Sequence, residues 1–253
     1  MTYEKYASEV YYITKKAGNI IMDYYNGKIE VLLKKDESPV TAADIAANKY
    51  ILQELATLAP DIPIVSEENT EEENKNAAKG GLFWLVDPLD GTKSYIKKTG
   101  EFTVNIALIK GDKPEGGAIF VPAKKTGYFT AEDGNAYKQE QDGLPTQIRV
   151  RPLPEDGVVV VASKSHRTPE TDEYIEKLPK VKEIVSASSS VKLCLIAEGT
   201  ADVYPRFGRT MEWDIAAGHA VLNAAGGKVL NTDGSEFIYA KEDFANPFFV
   251  ASA

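Results

Sequence analysis

Two aspartates, Asp87 and Asp90, follow directly on an apolar run and are separated by a proline and a leucine. The run, residues 82–86, has the composition of a buried strand, and a glycine and a threonine follow the second acid. We therefore expect a strand that delivers both carboxylates at its C-terminal end, then a tight turn that opens a helix. Ligand sites in open α/β sheets lie at such strand ends, and a helix start offers backbone N–H groups to an anion. Because two adjacent acids need a cation, this pattern predicts a metal-dependent phosphate enzyme.

Further acids stand at the ends of other predicted elements and could converge on the same place. They are Asp44 at the start of a helix, Glu67 and Glu68 at the end of a short strand, and Asp214 at the start of a late helix. Mg²⁺ prefers oxygen ligands and is commonly held by a few carboxylates together with substrate phosphate. Two such ions, about 4 Å apart, can hold the attacking and leaving oxygens of an in-line displacement.

The central motif has a metal-binding interpretation and a simpler one. Asp87 is well placed to bridge two ions, and Pro88 stiffens the turn so that it aims the carbonyl of Leu89 as a further ligand. However, an Asp-Pro-x-Asp-Gly sequence is often a surface turn, and a Glu-Glu pair usually lies on a solvated face. An aspartate such as Asp214 can simply cap a helix. The order of all the acids together favours the metal site.

The charge of the chain limits its partners. With 29 basic and 38 acidic residues, the formal net charge is −9. This charge argues against nucleic-acid polymers, which attract basic surfaces. The negative charge would also repel a small phosphorylated substrate. Bound divalent cations would offset this repulsion locally.

The sequence carries no sign of export or membrane insertion. No apolar run approaches the roughly 18 residues of a transmembrane helix, and the polar N-terminus lacks the pattern of a secretory signal. The single cysteine, Cys194, cannot form an internal disulfide. These features predict a cytoplasmic protein. Peripheral association with the inner face of the cell membrane stays open, as does the choice between a monomer and a homodimer.

Hydrophobic periodicity predicts two parts, residues 1–150 with α+β character and residues 151–253 with alternating helices and strands. The second part would contain partly parallel pairing and close the substrate cleft. Residues 38–41 are predicted as a loop and residues 71–79 as a loop or helix. The predicted helices cover residues 3–25, 42–58, 169–178, 190–198 and 213–225. The predicted strands cover residues 29–34, 62–66, 82–86, 102–109, 119–121, 126–130, 136–138, 158–162, 181–185, 201–204 and 228–230.

Three segments resemble the signature motifs of the inositol monophosphatase superfamily. They are residues 65–68 (Val-Ser-Glu-Glu), 84–92 (Trp-Leu-Val-Asp-Pro-Leu-Asp-Gly-Thr) and 213–218 (Trp-Asp-Ile-Ala-Ala-Gly). The resemblance extends over nearly the whole chain. It implies an α/β (α+β) fold, a layered αβαβα sandwich of the inositol monophosphatase and fructose-bisphosphatase type. It also implies a Mg²⁺-dependent, lithium-sensitive phosphomonoesterase.

Within the superfamily, the 3′(2′),5′-bisphosphate nucleotidase branch is the more similar, on residues 90–109, 188–199 and 204–208. One departure is Ser94, where this branch often carries an acid. The resemblance implies hydrolysis of the 3′-phosphate of adenosine 3′,5′-bisphosphate to AMP and phosphate, which clears a by-product of sulfate assimilation. An inositol monophosphatase or sugar phosphatase is the alternative. A non-catalytic metal or nucleotide sensor is less favoured, because every acid of the set is present.

The same resemblance implies a role for each metal-binding group. Glu67 would ligate a first Mg²⁺, Asp87 would bridge it to a second, and the Leu89 carbonyl would complete the first site. Asp90 and Asp214 would hold the second ion.

The catalytic roles are implied in the same way. Gly91 and Thr92 would present backbone N–H groups to the phosphate, and Thr92 with Asp44 would orient and activate the nucleophilic water. Glu68 would assist nearby or hold a weaker third Mg²⁺. The chemistry agrees, because a carboxylate within hydrogen-bond reach can take a proton from water that a metal has acidified.

The remaining contacts concern the second phosphate and the nucleoside. Lys192 and Arg206 are candidates for the second phosphate. Ser188, Ser189 and Ser190 stand at a predicted helix start, where their hydroxyls could meet the ribose or base. Lys192 could instead lie on a solvated helix face, and Arg206 could form a structural salt bridge. The full set implied to bind substrate is Glu67, Leu89, Asp90, Gly91, Thr92, Ser189, Lys192, Arg206 and Asp214.

Overall fold

The computed structural model describes residues 2–27, 31–33, 39–162, 167–187 and 190–253. Its α-helices are α1 Ala7–Tyr25, α2 Ala42–Leu58, α3 Glu71–Ala78, α4 Thr92–Ile96, α5 Pro169–Glu176, α6 Val191–Ala197 and α7 Glu212–Ala224, with short 3₁₀-helices at Glu4–Tyr6 and Pro122–Lys124. Its strands are β1 Val31–Leu33, β2 Pro39–Thr41, β3 Ile64–Ser66, β4 Leu82–Asp90, β5 Thr103–Lys110, β6 Lys113–Val121, β7 Thr126–Thr130, β8 Ala136–Glu140, β9 Thr146–Gln147, β10 Val158–Ala162, β11 Val181–Ser186, β12 Val203–Arg206, β13 Lys228–Asn231 and β14 Phe249–Ser252.

The strands form two large sheets and a small hairpin. The larger sheet has the order β3-β4-β5-β6-β7-β8-β9, in which β3 and β4 are parallel and the other neighbours are antiparallel. The second sheet has the order β11-β10-β12-β14-β13. Because β10 pairs in parallel with β11 and β12, the predicted parallel character of the second half is confirmed. β1 and β2 form the antiparallel hairpin.

Helices cover both large sheets and give the expected layers. α1 and α2 pack on one face of the larger sheet, over a core that includes Val10, Ile51 and Trp84. α6 and α7 lie between the other face and the second sheet, in a core that includes Leu193 and Val221. α5 packs on β12 outside that core. The predicted αβαβα sandwich is therefore confirmed.

Most predicted elements are present, with differences at the edges. The prediction of a helix over residues 42–58 is confirmed residue for residue, and residues 71–78 form a helix. Residues 39–41 are a strand, so their prediction as a loop was wrong, because they pair with β1. β12 begins two residues later than predicted, and β9 and β14 were missed.

The structure also bears on the predictions about membrane insertion and about Cys194. Among the described residues, no helix combines the length and apolar character that crossing a bilayer requires. Cys194 is a buried free thiol, as its apolar neighbours suggest. The division of the chain near residue 150 stays a prediction.

Candidate active site

Three aspartates meet at the C-terminal end of β4. Asp87, Asp90 and Asp214 each offer a carboxylate oxygen, and these oxygens lie within 4.8 Å of one another. Asp87 is buried, whereas Asp90 and Asp214 are partly exposed. The pair on β4 and the single acid on α7 come from different halves of the sequence, so the fold itself assembles the cluster.

An irregularity in β4 places its two acids. β4 pairs with β5 through Asp87 opposite Asn105 and Asp90 opposite Thr103, and the register shifts between these pairs. Within the irregular segment, the Leu89 N–H donates to Asp87 Oδ1 at 3.0 Å. This bulge extends the strand four residues beyond its predicted end, because pairing with β5 resumes after it. Both carboxylates are thereby held at one sheet edge.

Asp214 is oriented by the start of α7. It is the third helical residue, and its Oδ2 accepts the N–H of Met211, the N-cap residue, at 2.9 Å. The simpler interpretation of Asp214 as a capping group is thus partly right, although the residue is not itself the N-cap. Its carboxylate both satisfies a helix end and contributes to the cluster.

Burial and mutual repulsion perturb all three carboxyl groups. The pKa of Asp87 is raised well above its ordinary value by burial, then by the charges of Glu67, Asp90 and Asp214. Burial also raises the pKa of Asp90, opposed chiefly by Lys192, and the pKa of Asp214, with a further increase from Asp90. Clustered acids with such pKa values are suited to a bound cation. Because every donor is oxygen, a hard cation such as Mg²⁺ fits.

The two glutamates lie beside this cluster at the end of β3. The Glu67 N–H donates to the Val86 carbonyl at 3.1 Å, which carries the parallel pairing with β4 one residue past the strand. Glu67 also acts on Asp87 by charge and through a hydrogen bond. The next residue, Glu68, is half-buried, and its N–H donates to Ser66 Oγ at 3.4 Å. The expectation of a solvated Glu-Glu face does not describe this pair.

A turn after β4 brings Thr92 to Asp44. Gly91, with φ of 93°, is the N-cap of α4, a left-handed conformation that glycine adopts without strain. The Thr92 hydroxyl then lies 3.3 Å from Asp44 Oδ1 and 3.3 Å from the Leu89 carbonyl. The other oxygen of Asp44 accepts the N–H of Thr41 at 2.8 Å and also its hydroxyl. Asp44 is therefore fixed by the capping box of α2.

Asp44 is also electrostatically perturbed. Burial raises the pKa of its carboxyl group, the hydrogen bonds from Thr41 oppose the increase, and Glu67 adds to it. A raised pKa makes the carboxylate a better proton acceptor near neutral pH.

Two cations lie close to the acids. Lys192 on α6 is only 5% exposed, so the expectation of a solvated helix face does not describe it. Its Nζ lies 5.2 Å from the ring centroid of Tyr204, and burial lowers its pKa to about 8, opposed by Asp90. Arg206 ends β12, and its Nη2 donates to the Arg209 carbonyl at 3.1 Å. The Nε of Arg206 is buried without a hydrogen-bond partner among the described residues.

Sequence reasoning missed a polar network that holds Asp90. The Ser190 N–H donates to Asp90 Oδ2 at 2.9 Å, and the Thr103 hydroxyl lies 3.5 Å from the same oxygen. The Ser190 hydroxyl donates to Asn105 Oδ1 at 2.8 Å and lies 2.9 Å from the Thr103 hydroxyl. The available signal was the spacing of two polar residues, Thr103 and Asn105, on one face of an otherwise apolar strand. Ser188 and Ser189 lie outside the described residues.

Comparison with known proteins places these motifs in context. The model of the inositol monophosphatase family matches residues 3–247. The chain is 47% identical over 246 residues to the 3′(2′),5′-bisphosphate nucleotidase CysQ of Salmonella typhimurium, covering 95% of this chain and 97% of that protein. It is 46% identical over 249 residues to the protein of the same name from Escherichia coli K12, covering 96% and 98%.

Solved structures show the same similarity. The crystal structure of CysQ from Bacteroides thetaiotaomicron, described as a bacterial member of the inositol monophosphatase family, has a TM-score of 0.86. It is 39% identical, and the match covers 100% of this chain and 98% of that one. An inositol monophosphatase from Thermotoga maritima has a TM-score of 0.78 at 24% identity, which shows a shared fold.

Proposed function

Because the chain belongs to the inositol monophosphatase family, we propose that it is a Mg²⁺-dependent 3′(2′),5′-bisphosphate nucleotidase. It hydrolyses the 3′-phosphate of adenosine 3′,5′-bisphosphate to AMP and phosphate. The names and identities of its full-length relatives support the substrate class. The observation that carries the proposal is a pair of cations, Lys192 and Arg206, that interact electrostatically with each other and with two of the three clustered acids. A monophosphate carries no second anion that could meet this pair.

Two Mg²⁺ ions would be held by five groups, which are Glu67, Asp87, the Leu89 carbonyl, Asp90 and Asp214. When bound, Mg²⁺ supplies positive charge for the phosphate and lowers the pKa of water. Asp87 is held for this role because the Leu89 N–H fixes one of its oxygens.

Thr92 and Asp44 handle the proton of the attacking water. If the Thr92 hydroxyl donates to Asp44 Oδ1, its own oxygen is free to accept a hydrogen bond from that water. The proton can then pass through the hydroxyl to the carboxylate. Asp44 Oδ2 is occupied by Thr41, so Oδ1 is the acceptor in this relay. Glu68, at the end of β3, is a candidate to assist nearby.

The start of α4 positions the phosphate. The first backbone N–H groups of a helix lack acceptors within the helix. Those of Gly91 and Thr92 therefore suit the non-bridging oxygens of the reacting phosphate. Phosphoryl transfer depends mainly on such positioning and charge neutralisation.

Lys192 and Arg206 bind the second phosphate. Lys192 lies on α6 and Arg206 on β12 of the second sheet. The positive charge of Arg206 lowers the pKa of Lys192, and the negative charge of Asp90 raises it. An anion between two such cations would relieve their repulsion and give the Arg206 Nε a partner. Ser189 remains a candidate for the ribose or base.

The identity of the product tests this proposal. Adenosine 3′,5′-bisphosphate is incubated with the protein and Mg²⁺, and the nucleotide product is resolved by ³¹P NMR. We expect AMP with its 5′-phosphate intact, and inhibition when lithium is added. Release of the 5′-phosphate, or no release at all, would contradict the assigned orientation of the two phosphates.

A further inference from the structure

Five exposed lysines form a basic surface next to the acidic site. We call Lys93, Lys97, Lys98, Lys124 and Lys125 the basic rim. Residues 91–100 and 116–131 contain these five lysines and no acidic residue, although the chain carries a net charge of −9. Positive charge is therefore concentrated along these two segments of a chain of opposite overall sign.

The two segments of the basic rim touch each other. A β-carbon built on Gly100 would lie 3.2 Å from the β-carbon of Ala123, so the turn after α4 contacts the 3₁₀-helix before β7. The turn is also fixed to the end of α1, because the Lys98 Nζ donates to the Gly27 carbonyl at 3.3 Å. The same Nζ lies 5.7 Å from the ring centroid of Tyr25. The basic rim is thus one continuous surface.

Backbone geometry indicates that lysine is not required by the turns themselves. Lys98 and Lys125 adopt φ values of 55° and 50°. This left-handed region is unstrained for glycine and disfavoured for residues with a β-carbon. The Gly27 contact explains Lys98, but the turn does not explain a lysine at position 125.

The basic rim borders the site at two points. Lys93 directly follows Thr92, and Lys97, the C-cap residue of α4, lies about 6 Å beyond Lys93 along the helix axis, at 1.5 Å per residue. At the other border, Gly100 precedes Glu101, which acts electrostatically on Lys192. The lysines therefore lie beside both the phosphate-binding turn and the second-phosphate cations, without being part of either.

We propose that the basic rim guides polyanionic substrates into the site. Its field raises the local concentration of a phosphorylated substrate at the opening of a protein that would otherwise repel it. The inference rests on the proposed function, since it requires a phosphate ester as substrate. In this proposal the lysines act on the approaching substrate through their field, so they change its capture and leave the chemical step unaltered.

Charge reversal at the basic rim tests the idea against a matched control. The rim variant is Lys97→Glu, Lys124→Glu and Lys125→Glu, which spares Lys98. The control carries the same change in charge on three exposed lysines remote from the cluster, Lys5→Glu, Lys79→Glu and Lys228→Glu. Lys79 precedes the start of β4. Lys228 is the first residue of β13, whereas the other end of β13 is the one that aligns with Arg206 across β14.

The measurement is kcat/KM as a function of ionic strength. For the rim variant we expect kcat/KM about three- to tenfold below wild type near 20 mM salt, with kcat within about twofold. The difference from wild type should vanish near 0.5 M salt, where screening is strong. Near 20 mM salt, the loss of kcat/KM in the control should be less than half the loss in the rim variant. For the neutral variant Lys97→Gln, Lys124→Gln and Lys125→Gln, kcat/KM at low salt should lie between the values for wild type and the rim variant.

Equal salt dependence in all proteins, or a loss that persists at high salt, would overturn the proposal. Equilibrium binding of inorganic phosphate to the Mg²⁺-loaded protein gives the same comparison without turnover. Failure of the proposed function would appear as missing hydrolysis by wild type. Failure of the basic rim would appear as phosphate binding with the same salt dependence in the rim variant and wild type.

Discussion

The Thr92 hydroxyl lies 3.3 Å from Asp44 Oδ1, although the two residues are 48 positions apart. The contact joins the turn after β4 to the first turn of α2, and Thr41 holds the opposite oxygen of the same carboxylate. A single aspartate thereby completes the capping box of α2 and contacts the Thr92 hydroxyl. In the proposed mechanism, the capping of α2 and the transfer of the proton therefore depend on the same carboxylate.

Replacing Thr92 with valine should lower kcat by about 10²-fold or more, because the relay loses its hydroxyl while the side-chain volume is kept. KM should change little, and Thr92→Ser should retain most activity. Steady-state kinetics on both variants gives the comparison. The valine variant leaves the Thr41–Asp44 cap intact, so its melting temperature should match wild type. Near wild-type kcat in Thr92→Val would remove the hydroxyl from the mechanism.

Replacing Asp90 with asparagine should abolish hydrolysis and stabilise the metal-free protein. The amide oxygen can still accept the Ser190 N–H, while one of the mutually repelling negative charges is removed from the cluster. A gain of about 1 kcal/mol corresponds to roughly 2–4 °C in melting temperature for a chain of this size. Thermal unfolding in EDTA measures this change. Added Mg²⁺ should then stabilise wild type more than the variant. A lower melting temperature for Asp90→Asn in EDTA would contradict the repulsive cluster.

The acid cluster also fixes a pH dependence for the metal-free protein. Because the folded-state pKa values of Asp87 and Asp214 are raised, these groups stabilise the fold while they are protonated. That contribution is full below the unfolded-state pKa and is lost as pH rises through the folded-state values. Chemical denaturation in EDTA across this range should show less loss in Asp87→Asn than in wild type. Parallel profiles would show that the cluster does not carry the linkage.

Truncating Lys192 or Arg206 to alanine should raise KM for adenosine 3′,5′-bisphosphate by roughly tenfold or more, as expected when a charge-assisted contact is lost. The KM for a nucleoside 3′-monophosphate, which lacks the second phosphate, should rise much less. Initial rates on both substrates with each variant separate the effects. Equal increases for the two substrates would remove the second-phosphate assignment.

The second-phosphate contact should be lost in alkaline solution. Burial lowers the pKa of Lys192 to about 8, so its positive charge is present below that pH and disappears as pH rises through it. For the bisphosphate, kcat/KM should fall above pH 8 relative to the monophosphate. Lys192→Arg, which keeps its charge, should flatten the difference. A ratio of the two kcat/KM values that does not vary with pH would exclude Lys192 as the titrating group.

The parts of the fold that the sequence predicted well are those with strong local signals. α2 has a capping box at Thr41 and Asp44 and an apolar stripe, and its bounds were correct. β4 was detected from its apolar run, but its extension to Asp90 depends on pairing with β5 across a bulge. β14 was missed because it is four residues long and is stabilised by β12 and β13 on either side.

The candidate site follows the same division. The acids could be chosen from their positions at element ends, since strand and helix termini meet at one sheet edge. The burial of Lys192 could not be predicted from the sequence, because a lysine on a seven-residue helix is normally solvated and only the packing of α6 encloses it. The Ser190 contact to Asp90 likewise joins residues 100 positions apart.

The central claim is that this metal-dependent site is built for a substrate with two phosphates. The most direct test is kcat/KM for adenosine 3′,5′-bisphosphate and inositol 1-phosphate, measured side by side with Mg²⁺, with Asp87→Asn as the inactive control. The account predicts a preference for the nucleotide that lithium suppresses and the control lacks. A preference for inositol 1-phosphate, or turnover by Asp87→Asn close to that of wild type, would contradict it.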